Sequence, residues 1–186
     1  MKRILLLLAS TIVCMTVAAS AQVTTQKFVA GWDNFSEPLN FTKSNVKWLV
    51  SSTTTSNKLI VTYNLIGAKS SKLYQVALNF FCSTFPATFG QFPNDLGAGP
   101  CVTLTRQGVT KDVAEVEVGV VLTDIHGNGS LTVGIAPIPA GTYELEYFVR
   151  DGAGCDINGG AGNGSDCAVD FQSPGSFGMA TTITVP

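Results

Sequence analysis

His126 is the only histidine in the chain, so any mechanism that needs an imidazole must use it. It lies in Asp124-Ile125-His126-Gly127-Asn128-Gly129-Ser130, where Gly and Asn tolerate the positive φ of a tight reversal. A Ser-His-acid triad needs a buried, oriented imidazole beside a serine. A solvated turn tip offers neither, and Asp124 is too close along the turn to orient the ring. The same run begins like an EF-hand loop, Asp124-x-His126-x-Asn128-Gly129. Its twelfth position, however, is Ile135, where calcium requires a bidentate Glu. No catalytic residue is assigned.

Carboxylates are the next resource. Glu115 with Glu117, and Glu144 with Glu146, could in principle form the acid pair of a glycoside hydrolase. Glu at alternate positions of a strand is also the ordinary solvent face of an antiparallel sheet. Asp151, Asp156 and Asp166, with neighbouring Asn158, Asn163 and Asp170, offer oxygens for a loose calcium site around the last Gly-rich loop. Such loops carry Asp and Asn for turn reasons as well. No cofactor is therefore expected, with calcium the one metal to test by titration calorimetry.

Aromatic residues supply the best binding candidate. Phe85, Phe89 and Phe92 sit between Cys82 and Cys101 among prolines and glycines, where they could stack on a sugar ring or fill a partner's groove. The more ordinary reading folds them down to close one end of the core. Four cysteines remain after the leader described below: Cys82, Cys101, Cys155 and Cys167. In an exported chain they read as two disulfides with three connectivities open. Cys82–Cys101 and Cys155–Cys167 is the favoured pairing, because each pair brackets one Gly-rich loop. A four-cysteine zinc site would want close cysteine pairs, and the spacings lack them.

The elements that must carry these groups are strands. Lys2 and Arg3, an apolar centre and Ala19-Ser20-Ala21 make residues 1–21 a secretory signal peptide, with cleavage expected before Gln22. Cys14 follows Val13, which argues against lipidation. No second apolar run reaches membrane-spanning length, so a soluble mature chain of one domain, 22–186, is expected. Without Lys2 and Arg3, nine basic residues face thirteen acidic ones, a net charge near -4. No basic run or aromatic–basic interleaving is present, so nucleic acid is a poor candidate partner.

Val116, Val118, Val120 and Leu122 alternate with their neighbours, as do Leu131, Val133 and Ile135. Pairing Thr123 with Ser130 would set Leu122 opposite Leu131 and place every apolar residue of this hairpin on one face. Tyr143, Leu145, Tyr147 and Val149 form a third inward row against outward Glu144, Glu146 and Arg150, so three neighbouring antiparallel strands are predicted. Leu59, Val61, Tyr63 and Leu65, then Tyr74, Val76, Leu78 and Phe80, then Phe177, Met179, Thr181, Ile183 and Val185 alternate likewise. Lys27–Ala30, Val46–Val50, Val102–Arg106 and Ala168–Phe171 are shorter strand candidates, and residues 107–111 read as a turn. Many short strands and no helix-period segment predict an all-β, antiparallel two-sheet sandwich with two disulfide-bounded loops.

The Asp124–Ser130 turn and Ile138-Pro139-Ala140-Gly141-Thr142-Tyr143-Glu144-Leu145 resemble immunoglobulin-like modules of secreted bacterial proteins. The resemblance covers about 35 residues and implies an immunoglobulin-like fold in an exported setting. It transfers no catalytic residue, because the shared positions are turn and core positions. The function expected is a secreted, non-enzymatic structural or interaction domain, serving adhesion or ligand recognition, with a protein or glycan partner outside the cell. The alternatives are a carbohydrate-binding module using Phe85, Phe89 and Phe92, or a small secreted hydrolase.

Overall fold

Period-2 alternation sends one face of each strand inward, and two antiparallel sheets result. The computed structural model describes residues 22–31, 37–52, 56–84, 101–106, 108–135, 137–151, 169–175 and 181–186. β1 (Gln22–Lys27), β3 (Asn45–Ser52), β4 (Asn57–Leu65) and β8 (Gly129–Ile135) form a four-stranded sheet in the order β1-β3-β4-β8. The second sheet has seven strands. Its members are β2 (Val29–Ala30), β5 (Leu73–Phe81), β6 (Val102–Arg106), β7 (Val109–Leu122), β9 (Gly141–Asp151), β10 (Val169–Gln172) and β11 (Thr181–Val185). They run in the order β2-β10-β9-β5-β7-β6, and β11 also pairs with β9. Among the described residues the only helical piece is a 3-10 turn, Cys82–Thr84.

The inner faces share one core. Trp48, Leu59, Val61, Tyr63 and Leu65 from the first sheet meet Tyr74, Val76, Leu78, Phe80, Tyr143, Leu145, Tyr147 and Val149 from the second. The predicted inward rows of β4, β5 and β9 are therefore the observed ones. Tyr63 donates its hydroxyl to the Ala77 carbonyl at 2.7 Å, and Tyr147 donates to the Lys27 carbonyl at 2.5 Å, so both phenols cross between sheets with their polar ends satisfied. Phe28, between β1 and β2, is buried where the chain leaves one sheet for the other and packs edge-on to Tyr147 at 5.4 Å. Burying a side chain of this size stabilises the fold by about 1.5–3 kcal/mol. A dozen such residues outweigh any single ion pair described below.

The expected hairpin is not formed. β7 pairs with β5 and β6, and β8 pairs with β4 in the other sheet. Leu122 therefore lies opposite Leu73, and Leu131 lies opposite Tyr63. The turn 123–128 carries the chain from one sheet to the other, and β9 neighbours β5, β10 and β11 instead of β8.

A β-bulge supplies the reason. Val76 pairs with Gly119 and Ala77 with Glu117, which leaves Val118 without an opposite residue. Gly119, at φ 147°, supplies a backbone conformation that side-chain-bearing residues rarely adopt. One extra residue reverses the phase of alternation. Ala114, Val116 and Val118 face the core before the bulge, and Val121 and Thr123 face it afterwards. Val120 and Leu122, expected inside, are 39% and 63% exposed.

Two smaller differences follow the same logic. β7 starts at Val109, so the reversal after β6 is shorter than residues 107–111. The first strand candidate divides into β1 and β2 around buried Phe28.

Candidate functional site

The turn 123–128 is held by side chains bonded to the backbone. Asp124 Oδ1 accepts from the amides of His126 and Asn128, both at 2.8 Å, and Thr123 Oγ1 donates to the Lys69 carbonyl at 2.6 Å. Gly127, at φ 76°, lies so close to the Ala68 carbonyl that an added Cβ would fall 1.9 Å from its oxygen. His126 is exposed at this tip, in the solvated position its sequence context implied.

The amide bonds, that from Asn128 foremost, hold the Asp124 carboxyl below its ordinary pKa. A depressed folded-state pKa means stability that is present above the unfolded value and lost as pH falls through the folded one. Hydrogen-exchange protection of the His126 and Asn128 amides should therefore persist through the ordinary Asp range near ~4 and be lost only below it. Loss of protection with a midpoint above that range would contradict this geometry.

The outer face of the seven-stranded sheet holds the acidic residues. Glu115 and Glu146 point away from the core, as the alternation required. They are nevertheless only 4% exposed each, and Arg150 is 5% exposed, whereas Glu117 is exposed and Glu144 half-buried, so only part of this face is the solvated one that alternating Glu suggested. Register sets Asn79 of β5 beside Glu115 of β7 on one side and Glu146 of β9 on the other.

Arg150 starts two rows away, opposite Gln75. It crosses the Phe148 ring at 4.7 Å and grips both Glu115 oxygens, Nη1 to Oε1 at 2.6 Å and Nη2 to Oε2 at 2.8 Å. Burial raises the Glu115 carboxyl pKa, and the hydrogen bonds and charge of Arg150 pull in the opposite direction. Glu115 and Glu146 lie two strands apart, on the order of 10 Å between backbones. Of the acid pairs considered, Glu115 with Glu117 and Glu144 with Glu146, one member, Glu115, is clasped by a guanidinium.

A second charged cluster sits at the β5–β9 end. Lys72 Nζ lies 2.8 Å from Glu37 Oε1 and 2.5 Å from Asp151 Oδ1, and Tyr74 donates to Glu37 Oε2 at 3.0 Å. Burial disfavours the Lys72 ammonium, but bonds from Asp151 and Glu37 prevail and raise its pKa. Asp151, the first of the calcium candidates, is thus engaged by a cation. Among the described residues no group of three or more His, Cys, Asp or Glu is placed to hold a metal.

Of the other sequence-predicted positions, Cys82 and Cys101 are joined, with Cα atoms 6.4 Å apart. Phe85, Phe89, Phe92, Asp156, Asp166, Cys155 and Cys167 lie outside the described residues. Sequence reasoning missed both charged clusters, whose members are 35 residues apart in Glu115–Arg150 and 35 in Glu37–Lys72. It also missed an apolar patch that the bulge exposes: Leu122 at 63% and Val120 at 39%, beside Leu73 at 45%, with Ile125 at 75% in the following turn. A small cavity of about 60 Å³ beside Trp48, lined by Thr24, Val50, Thr182, Ile183 and Thr184, has room for a few waters.

Fold and sites together define an all-β, disulfide-bonded protein of two antiparallel sheets. Among the described residues no helix is long and apolar enough to cross a membrane. Comparison with protein-family models, with curated proteins and with solved structures gives no significant match.

Proposed function

We propose that the chain is exported behind a cleaved leader, residues 1–21, and acts outside the cytoplasm as an immunoglobulin-like β-sandwich with no enzymatic activity of its own. Its work is interaction: adhesion, envelope structure or recognition of an external ligand. One observation carries the reading. Four described carboxylates serve the fold: Glu115 holds Arg150, Glu37 and Asp151 hold Lys72, and Asp124 holds its own turn, while the lone imidazole of His126 stands exposed at a turn tip.

Two further features agree with it. The Cys82–Cys101 bond suits an oxidising compartment, and a second bond, Cys155–Cys167, belongs to the same reading. Tyr143 donates its hydroxyl to the Pro139 carbonyl at 2.7 Å, four residues upstream, in the manner of the tyrosine corner of immunoglobulin-like sandwiches.

The test is expression of the full-length gene in a bacterial host with an intact export pathway. A periplasmic or secreted product beginning at Gln22, four hydrogens lighter than its reduced form, is expected. It should turn over ester, glycoside and peptide substrates no faster than its His126→Ala variant. A cytoplasmic product retaining residues 1–21, or turnover abolished by His126→Ala, would overturn the reading.

A further inference from the structure

The outer face of the four-stranded sheet differs in charge from the rest of the molecule. Register places its outward residues in rows across β1, β3, β4 and β8: Lys27–Asn45–Asn64–Ser130, then Thr25–Lys47–Thr62–Thr132, then Val23–Leu49–Ile60–Gly134. Lys58 follows, beside Ser51. None of the four strands contains a single Asp or Glu, although the whole chain carries thirteen acidic residues against eleven basic ones. The acidic strands are in the other sheet, with Asp112, Glu115 and Glu117 on β7 and Glu144, Glu146 and Asp151 on β9.

Lys27, Lys47 and Lys58 are exposed, and Lys43 is exposed in the turn that leads into β3. None of these four lysines forms an ion pair with a carboxylate among the described residues. Lys27 Nζ donates to the Thr42 carbonyl at 2.8 Å, a neutral partner that leaves its charge uncompensated. Lys58 is laid across the bare Gly134 backbone, where an added Cβ would fall 1.9 Å from its Cε.

The lysines step diagonally across the sheet. Strand spacing and rise put Lys27 and Lys47 roughly 8 Å apart, and Lys47 and Lys58 roughly 14 Å apart, at the backbone. The first two rows carry hydroxyls and amides ordered in register, and the apolar row of Val23, Leu49 and Ile60 separates them from Lys58. Thr62 and Thr132 share a 2.9 Å hydrogen bond, Ser130 donates to Asn64 Oδ1 at 2.8 Å, and Asn64 donates to Asn45 Oδ1 at 3.1 Å.

From this geometry we propose that the face is the docking surface of an extended anionic polysaccharide, one whose sugars carry carboxylates. Charge complementarity selects the anion, because ammonium groups without partners attract a repeated negative charge. The hydroxyl and amide rows select a sugar, whose hydroxyls both donate and accept. The aromatic residues of this sheet, Trp48 and Tyr63, are buried on its other side. Among the described residues these four strands therefore present no outward stacking platform of the kind single-stranded nucleic acid uses.

The inference rests on the reading of the chain as an exported interaction module, and adds its partner and surface. The test uses mature, oxidised protein recovered from the periplasm, which settles export before binding is measured. Alginate is the probe, with neutral dextran, duplex DNA and phosphatidylglycerol vesicles as parallel arms, each at low and high salt. Alginate should bind at low salt and weaken as salt rises, while dextran does not bind.

The triple variant Lys27→Gln/Lys47→Gln/Lys58→Gln should lose at least tenfold in alginate affinity with an unchanged melting temperature. Lys69→Gln/Lys111→Gln should bind as the parent does. Thr25→Val/Thr62→Val should weaken binding without changing its salt dependence. Absent alginate binding, a triple variant that binds like the parent, or tighter binding of DNA or vesicles than of alginate would overturn the proposal, and would do so while leaving export intact.

Discussion

Replacing Arg150 with methionine is expected to destabilise the domain by roughly 3–5 kcal/mol. The side chains of Arg150 and Glu115 are 6% and 2% exposed, so neither charge is screened by solvent. Removing the cation leaves a carboxylate that burial already pushes toward the neutral form and that Asn79 cannot neutralise. Asn79 lies next to Glu115 in register, fully buried, and its amide makes no hydrogen bond among the described residues. Methionine keeps the stem that packs on Phe148, so the loss reports the charge and not the packing. For a chain of this length the melting temperature should fall by about 6–20 °C.

The double variant Glu115→Leu/Arg150→Met separates the two contributions. A buried pair stabilises little over apolar residues of similar shape, whereas a broken pair strands a charge. The double variant should therefore be more stable than Arg150→Met alone. A single variant within 1 kcal/mol of the parent would show that solvent reaches the pair.

Removal of the Cys82–Cys101 bond has the next largest expected effect. The two residues are 19 apart in sequence, and opening a loop of that size costs roughly 3 kcal/mol in the chain-entropy model. The bond ties the end of β5 to the start of β6, two strands that do not pair with each other but both pair with β7. Cys82→Ala/Cys101→Ala should lower the urea midpoint by on the order of 1–2 M. The slope should rise as well, because the opened loop lets the unfolded chain expand and expose more surface. No change in midpoint would mean that the bond adds nothing once both strands are anchored on β7.

The inward rows of β4, β5 and β9 were legible because a strand with one buried face writes its period directly into the residues. Leu59, Val61, Tyr63 and Leu65 read the same in the sequence as in the core. The hairpin was misread for two physical reasons. Asp124–Gly129 reverses the chain equally well within a sheet or between sheets, so its residues do not choose. The choice was made by the bulge at Val118–Gly119, and an added residue inside a Val-rich run leaves no mark of its own. Val120 and Leu122 then look like core residues while facing solvent.

Long-range charge was invisible for a different reason. Arg150 and Glu115 meet only because β9 and β7 flank β5, and strand order is not written locally. The lysine face follows the same rule. Lys27, Lys47 and Lys58 never form a basic run, and the lack of such a run argued only against nucleic acid. Stacking three separate strands side by side assembles a cationic surface that no window of the sequence contains.

Amide shift mapping of the mature, oxidised protein titrated with alginate tests the central claim most directly. The account predicts that the perturbed residues are Lys27, Lys47, Lys58, Thr62 and Thr132 and their neighbours on β1, β3, β4 and β8. Perturbation centred on the Leu73–Leu122 pair, on His126 or on the Glu115–Arg150 row would contradict it.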